Sequence, residues 1–187
     1  MPKLFFVLLG CRPPGRKTEQ HDVFAGIGEQ LRDLLPEMIA SWPEAQGRLH
    51  IDAWREVSCV NGFKVHCVAA DAALPANAAP EKLWFVNLGG YQPGMFEELH
   101  EKILVAAESQ GQAIRQAKQH PFFQNNQATA GKMPHVDDQW AFDVDELTPL
   151  DALLPLKTRQ LWKIVLTEQP HAHEDRLHIG YVKLTAL

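Results

Sequence analysis

Apolar residues crowd into Leu4–Leu9, thin out through a glycine- and proline-rich stretch from Gly10 to Thr18, and return at Val23–Gly28. This pattern predicts a strand, a loop and a second strand. A helix follows from about Glu29, and Pro36, at home in a first helical turn, restarts it toward Trp42. Leu49–Trp54 then alternates with a period of two. Leu49, Ile51 and Ala53 form an apolar face, while His50, Asp52 and Trp54 look the other way. Val60-Asn61-Gly62 reads as a three-residue turn with a left-handed glycine, setting Cys59 opposite Phe63, Val57 opposite Val65 and Arg55 opposite Cys67. Farther on, residues 102–108 read as a strand. Ser109-Gln110-Gly111-Gln112 supplies a capping box for a helix to about His120. Glu146 to Pro155 predicts a brief helix, with Thr148 as cap, Pro149 in its first turn and Pro155 as stop.

The opening pattern recurs. At a shift of 79, residues 4–21 and 83–100 share nine of eighteen positions, among them Leu9/Leu88, Gly10/Gly89, Glu19/Glu98 and His21/His100. Unrelated segments share about one. Leu49 to Trp54 likewise resembles Pro134 to Trp140. A sparser match at Leu161, Trp162, Leu166, Leu177 and His178 predicts that the unit begins a third time. The expected fold is α+β: a duplicated strand-loop-strand-helix-strand unit plus a third, terminal hairpin. Its sheet is mostly antiparallel, with helices on one side. The boundaries place unit one at 3–70, an alanine- and proline-rich linker at 69–81, unit two at 82–155 and the hairpin at 159–185, within one pseudo-twofold domain.

Composition narrows the function classes. A net charge of −5 and a pI near 6.0 argue against a nucleic-acid partner, which would favour a basic face. Cys11, Cys59 and Cys67 lack metal-ligand spacing and suit a reducing compartment. The N-terminal apolar run is at the short limit for a signal and recurs internally at residues 83–90, so it reads as a core strand. No run reaches membrane-spanning length, which gives the expectation of a soluble, cytoplasmic chain away from membranes. Gly10 to Thr18 imitates a phosphate-binding loop, but its lysine stands one residue late and its prolines remove backbone donors.

Candidate chemistry centres on His50-x-Asp52 and the matching His135-x-Asp137. Residues two apart on a strand share a face, so each imidazole gains a carboxylate neighbour. The pair can act as an oriented base, as metal ligands or as a binding pair. Trp54 extends the first face. Glu19-x-His21 and Glu98-x-His100 form a second matched set at the loop exits, suited either to bonding loop carbonyls or to binding a ligand. His171 and His173, beside Glu174 and Asp175, are a loop cluster with weaker metal-ligand character. The sequence has no Gly-x-Ser-x-Gly, His-Glu-x-x-His or Cys/His nucleophile pattern.

These motifs carry a resemblance. Leu88 to His100, with its Leu-Gly-Gly-Tyr-x-Pro-Gly-x-Phe-Glu-Glu-x-His pattern, together with His50 to Trp54 and His135 to Asp138, resembles an uncharacterised bacterial family called domain of unknown function 1543. Cys11-Arg12-Pro13 departs from its Gly-Tyr-Gln. The resemblance implies one or two copies of a fold unit and leaves activity open. Two functions stay in play. One is a domain binding a small molecule or protein through the polar His-x-Asp faces. The other is a metal-dependent or two-histidine, phosphoesterase-like hydrolase with a site shared by the two repeats. A divalent metal is the cofactor compatible with either.

Overall fold

The computed structural model describes residues 1–92, 94–122 and 142–187. Its strands pair antiparallel throughout the described residues, in three sheets. The chain divides into two compact units, Met1–Ala79 with Asp151–Leu187, and Pro80–Leu150.

In the first unit, β1 (Lys3–Cys11) lies between β2 (Gln20–Gly28) and β3 (His50–Glu56), and β10 (His178–Lys183) completes the order β10-β3-β1-β2. The apolar run of β1 explains its central place, because Val7 and Leu9 are almost fully buried. Phe24, Leu34, Met38 and Ile51 join them in one core. Gln30 and Asp33 cap the 3-10 turn Leu31–Leu34, and α1 (Leu35–Ser41) follows with a proline in its first turn, as expected of Pro36. A second sheet has the order β4 (Cys59–Val60), β5 (Phe63–Ala69), β9 (Trp162–Glu168).

The second unit repeats the opening theme. β6 (Lys82–Gly90) is flanked by β7 (Leu99–Ala107) and β8 (Phe142–Pro149). Ser109 accepts a hydrogen bond from the Gln112 backbone N–H at the start of α2 (Gln110–Ala117). The helix buries Ala113 and Ala117 against Val86, Leu88 and Val105.

Four expectations need correction. The terminal strands do not form a hairpin: β9 pairs with β5 and β10 with β3, in different sheets. The turn after Val60 has two residues, since Val60 pairs with Phe63 and Cys59 with Lys64. Asn61 and Gly62 both take positive φ, 49° and 80°, the left-handed pair whose twist matches a hairpin. Residues 146–149 extend β8, and helix begins only at Leu150. Trp54 also leaves its expected face, for a reason that shapes the site.

Candidate functional site

β3 holds one residue more than β1 requires. Gly10 pairs with His50, Leu9 with Ile51, Leu8 with Ala53 and Val7 with Trp54, so Asp52 is left without a partner in a β-bulge. A bulge resets alternation. Ile51 and Trp54, three apart, therefore both pack on the core that contains Leu9 and Val7. Trp54 approaches Phe5 at a ring distance of 6.3 Å and stacks on His178 at 3.9 Å, with the planes 2° apart. It belongs to the core side and not to the polar row.

His50 and Asp52 do share a face, as expected. Gly10 is flanked on its other side by β2, where its partner is His21. Two histidines thus stand on either side of one glycine, and the bulged Asp52 leans over it. His21 Nε2 is 3.3 Å from Asp52 Oδ2, and His50 Nε2 is 3.3 Å from Asp52 Oδ1. Glu19, just before β2, closes the group. Its Oε1 lies 3.1 Å from His50 Nε2 and its Oε2 lies 3.8 Å from His21 Nε2. A Cβ at position 10 would collide with both Asp52 Oδ2 and His50 Nε2, so only glycine leaves the space they occupy.

His50 is the buried member, with 9% of its side chain exposed. Its Nε2 and Asp52 Oδ2 are buried and take part in no hydrogen bond. The short approaches to the carboxylates are therefore misdirected for a hydrogen bond, whatever their length. The Tyr181 ring covers the imidazole from β10, at a centroid distance of 4.5 Å. Tyr181 gave no signal in sequence. Gly10 did, by its position between two apolar runs and its recurrence as Gly89.

The second unit uses the same register. Gly89 pairs with His100 on β7 and with Asp143 on β8, and the bulged residue over it is Asp145. A Cβ on Gly89 would collide with the Asp145 carboxylate. His100 Nε2 lies 3.3 Å from Asp145 Oδ2 and 3.9 Å from Glu98 Oε2. Donor atoms of Glu98, His100 and Asp145 all fall within 4.8 Å of one another. Partial burial, then the nearby Glu98 carboxylate, raises the Asp145 pKa, against the opposing pull of His100. A hydrogen bond from Tyr91 to Glu98 keeps that phenol protonated to higher pH than usual. Asp143 holds the register place of His50, but turns to Lys118 at 3.3 Å.

His135 and Asp137 lie outside the described residues. The loop acids beside His171 and His173 are already engaged: Glu174 pairs with Arg55 at 2.9 Å, and Asp175 accepts from Ser58 and Cys59. His171 and His173 themselves are exposed. The three cysteines are free thiols.

Residues 16–67 match the family described as Domain of Unknown Function (DUF1543). The DUF1543 match includes Glu19, His21, His50 and Asp52. No curated protein matches the chain. Among solved structures, the chain is similar to the crystal structure of a protein Il1583 from Idiomarina loihiensis. The two share 21% identity and a TM-score of 0.64, over 98% of this chain and 99% of that one. This is a likeness of fold. Among the described residues, no helix is long and apolar enough to cross a membrane.

Proposed function

We propose that this protein is a small-ligand-binding protein whose ligand sits on the polar row over Gly10, held by Glu19, His21, His50 and Asp52. One observation carries the reading. His50 Nε2 is buried among donors and acceptors yet makes no hydrogen bond. Leaving such an atom unpaired costs about 1–3 kcal/mol, which a bound ligand would return. Gly10 supports the reading by keeping the floor of the row clear.

The charges select the ligand class. Two carboxylates face two imidazoles. With neutral imidazoles the row is anionic, and it favours a cation or a donor-rich group over a phosphate. The hydrolase alternative needs His135 and Asp137 and gains no support from the described residues.

A thermal-shift series on untagged protein tests this, using divalent ions, methylammonium and guanidinium as probes. At one hundred times its dissociation constant, a ligand stabilises by about 2.7 kcal/mol. At least one probe should raise the melting temperature of the parent and not of His21→Ala, a substitution at an exposed side chain. If every probe moves both proteins equally, the reading is lost.

A further inference from the structure

We propose a second ligand site, within the Pro80–Leu150 unit: a divalent cation of zinc-like preference, bound by one oxygen each of Glu98 and Asp145 and by the imidazole of His100, with its remaining positions open to water. The inference goes beyond the Gly10 reading and does not depend on it.

Convergence is the first line. One donor atom from each of these three residues lies within 4.8 Å of both others. Zinc bonds nitrogen and carboxylate oxygen at about 2.0–2.2 Å, so donors at the corners of a tetrahedron stand about 3.3–3.6 Å apart. His100 Nε2 already lies 3.3 Å from Asp145 Oδ2 and 3.9 Å from Glu98 Oε2. Glu98 has to close on the imidazole by a few tenths of an ångström, and it stands just ahead of the β7 ladder. The Gly10 row lacks this convergence. Glu19 and Asp52 each turn one oxygen to His21 and the other to His50, and no three of those four residues bring one donor apiece within the same span.

The surroundings give the second line. The bulge in β8 carries Asp145 over Gly89, where a Cβ would strike its carboxylate, so glycine keeps the floor of the triad clear. The Tyr91 hydroxyl donates to Glu98, an outer-shell bond of the kind that orients a ligating carboxylate. Asn87 lies two residues before Gly89, on the same side of β6, and its Oδ1 is buried without a hydrogen bond. A water carried by the cation is the donor it lacks.

Charge selects the class. Besides Glu98, the carboxylates of Asp143 and Glu146 press negative charge on Asp145, while Lys118 is drawn to Asp143. A divalent cation relieves that crowding, and the two ligating carboxylates balance its charge. The imidazole sets the preference. One nitrogen beside two oxygens suits zinc, with manganese weaker, over calcium or magnesium, which take oxygen alone. All three side chains are about a third exposed, which leaves the far side of the cation to solvent.

The experiment is a zinc titration of untagged full-length protein, stripped with a chelator, at slightly alkaline pH and against a competing indicator. His100→Ala, Asp145→Asn and Glu98→Gln should each weaken one zinc site by more than about 100-fold, the upper limit for losing an outer-shell partner. Tyr91→Phe should weaken it by about 10-fold, as an outer-shell loss. His21→Ala and the double variant His171→Ala/His173→Ala should bind as the parent does. Three separate ligand substitutions keep the test sound if one of them misfolds. Absence of zinc binding overturns the proposal, as does binding that survives all three ligand substitutions. Calcium binding as tight as zinc, and indifferent to His100→Ala, would make the cluster an ordinary acidic surface. Zinc lost in His21→Ala and kept in His100→Ala would put the cation over Gly10, sinking this assignment while sparing the Gly10 reading.

Discussion

His50 stands directly across from Gly10 in the pairing of β3 with β1, and its Nε2 fills the space where a side chain at position 10 would begin. Gly10→Ala should therefore act first on the site. Forcing a methyl group between His50 and Asp52 costs about 1–3 kcal/mol as overpacking, partly offset by about 0.4–1 kcal/mol from a stiffer unfolded chain. Urea denaturation should show a loss of about 1–2 kcal/mol, while probe binding at the row disappears. Full binding by this variant would contradict the assigned geometry.

Trp54 offers the opposite signature. It stacks on His178 and packs near Phe5, away from the polar row. Trp54→Ala should lower stability by about 2–4 kcal/mol, toward the range for truncating large core aromatics. Binding per folded molecule should stay within a few-fold of the parent. Calorimetry on the folded fraction would separate the two effects.

The two-residue turn makes a backbone prediction. Asn61 and Gly62 both occupy left-handed conformations, and a Cβ on Gly62 would meet Pro170 at 3.4 Å. Gly62→Ala should cost about 1–2 kcal/mol, the usual penalty of left-handed φ for a residue that gains a Cβ, and Asn61→Ala about 1 kcal/mol or less, because asparagine already has a Cβ and only tolerates this region better than alanine. Equilibrium unfolding would measure both. Reversed ranking would argue against this turn.

Asp175 ties the loop before β10 to the start of β4 through bonds from the Ser58 backbone and hydroxyl and from the Cys59 backbone. Hydrogen bonds to charged groups contribute about 1.5–3 kcal/mol when well formed, less at an exposed position. Asp175→Ala should cost about 2 kcal/mol, and amide exchange should quicken at Ser58 and Cys59. Unchanged exchange there would rule out the tie.

The thiols predict a pH response. Burial pushes Cys67 from an ordinary 9.0 up to about 12, and raises Cys11 and Cys59 as well. An acid whose pKa is higher in the folded state keeps its proton there while the unfolded chain releases it. The stabilisation is thus complete below about pH 9 and is lost as pH rises toward 12. Unfolding free energy should fall across that window, and less steeply in Cys67→Ala. Below it, native thiols should label far more slowly than in urea.

Much of this architecture is visible in the string of residues because local rules and packing agree. Val7 and Leu9 announce a buried strand, Ser109 and Gln112 a helix start, and Pro36 a first turn. His50, Asp52, Glu19 and His21 were all legible as chemistry, although their convergence in the first unit was not. That required two strands to flank Gly10, which is a matter of pairing. The bulge escaped because His50, Asp52 and Trp54 fit plain alternation; nothing in the letters marks Asp52 as supernumerary. Letter identity also drew attention to His135 and Asp137, whereas the register position of Asp52 relative to Leu9 is taken relative to Leu88 by Asp145. The terminal strands differ from the expected hairpin for a related reason. Strand composition declares a wish to pair and does not name the neighbour.

The supernumerary residue in β3 has an arithmetic consequence. Seven residues run from His50 to Glu56, and the strand serves two faces out of step with each other. Deleting Asp52 would leave Ile51, Ala53 and Trp54 in plain alternation opposite Leu9, Leu8 and Val7. Trp54 would keep its place on the core side, while the row above Gly10 would lose its acid. The spare residue serves the polar row, and the core would close without it.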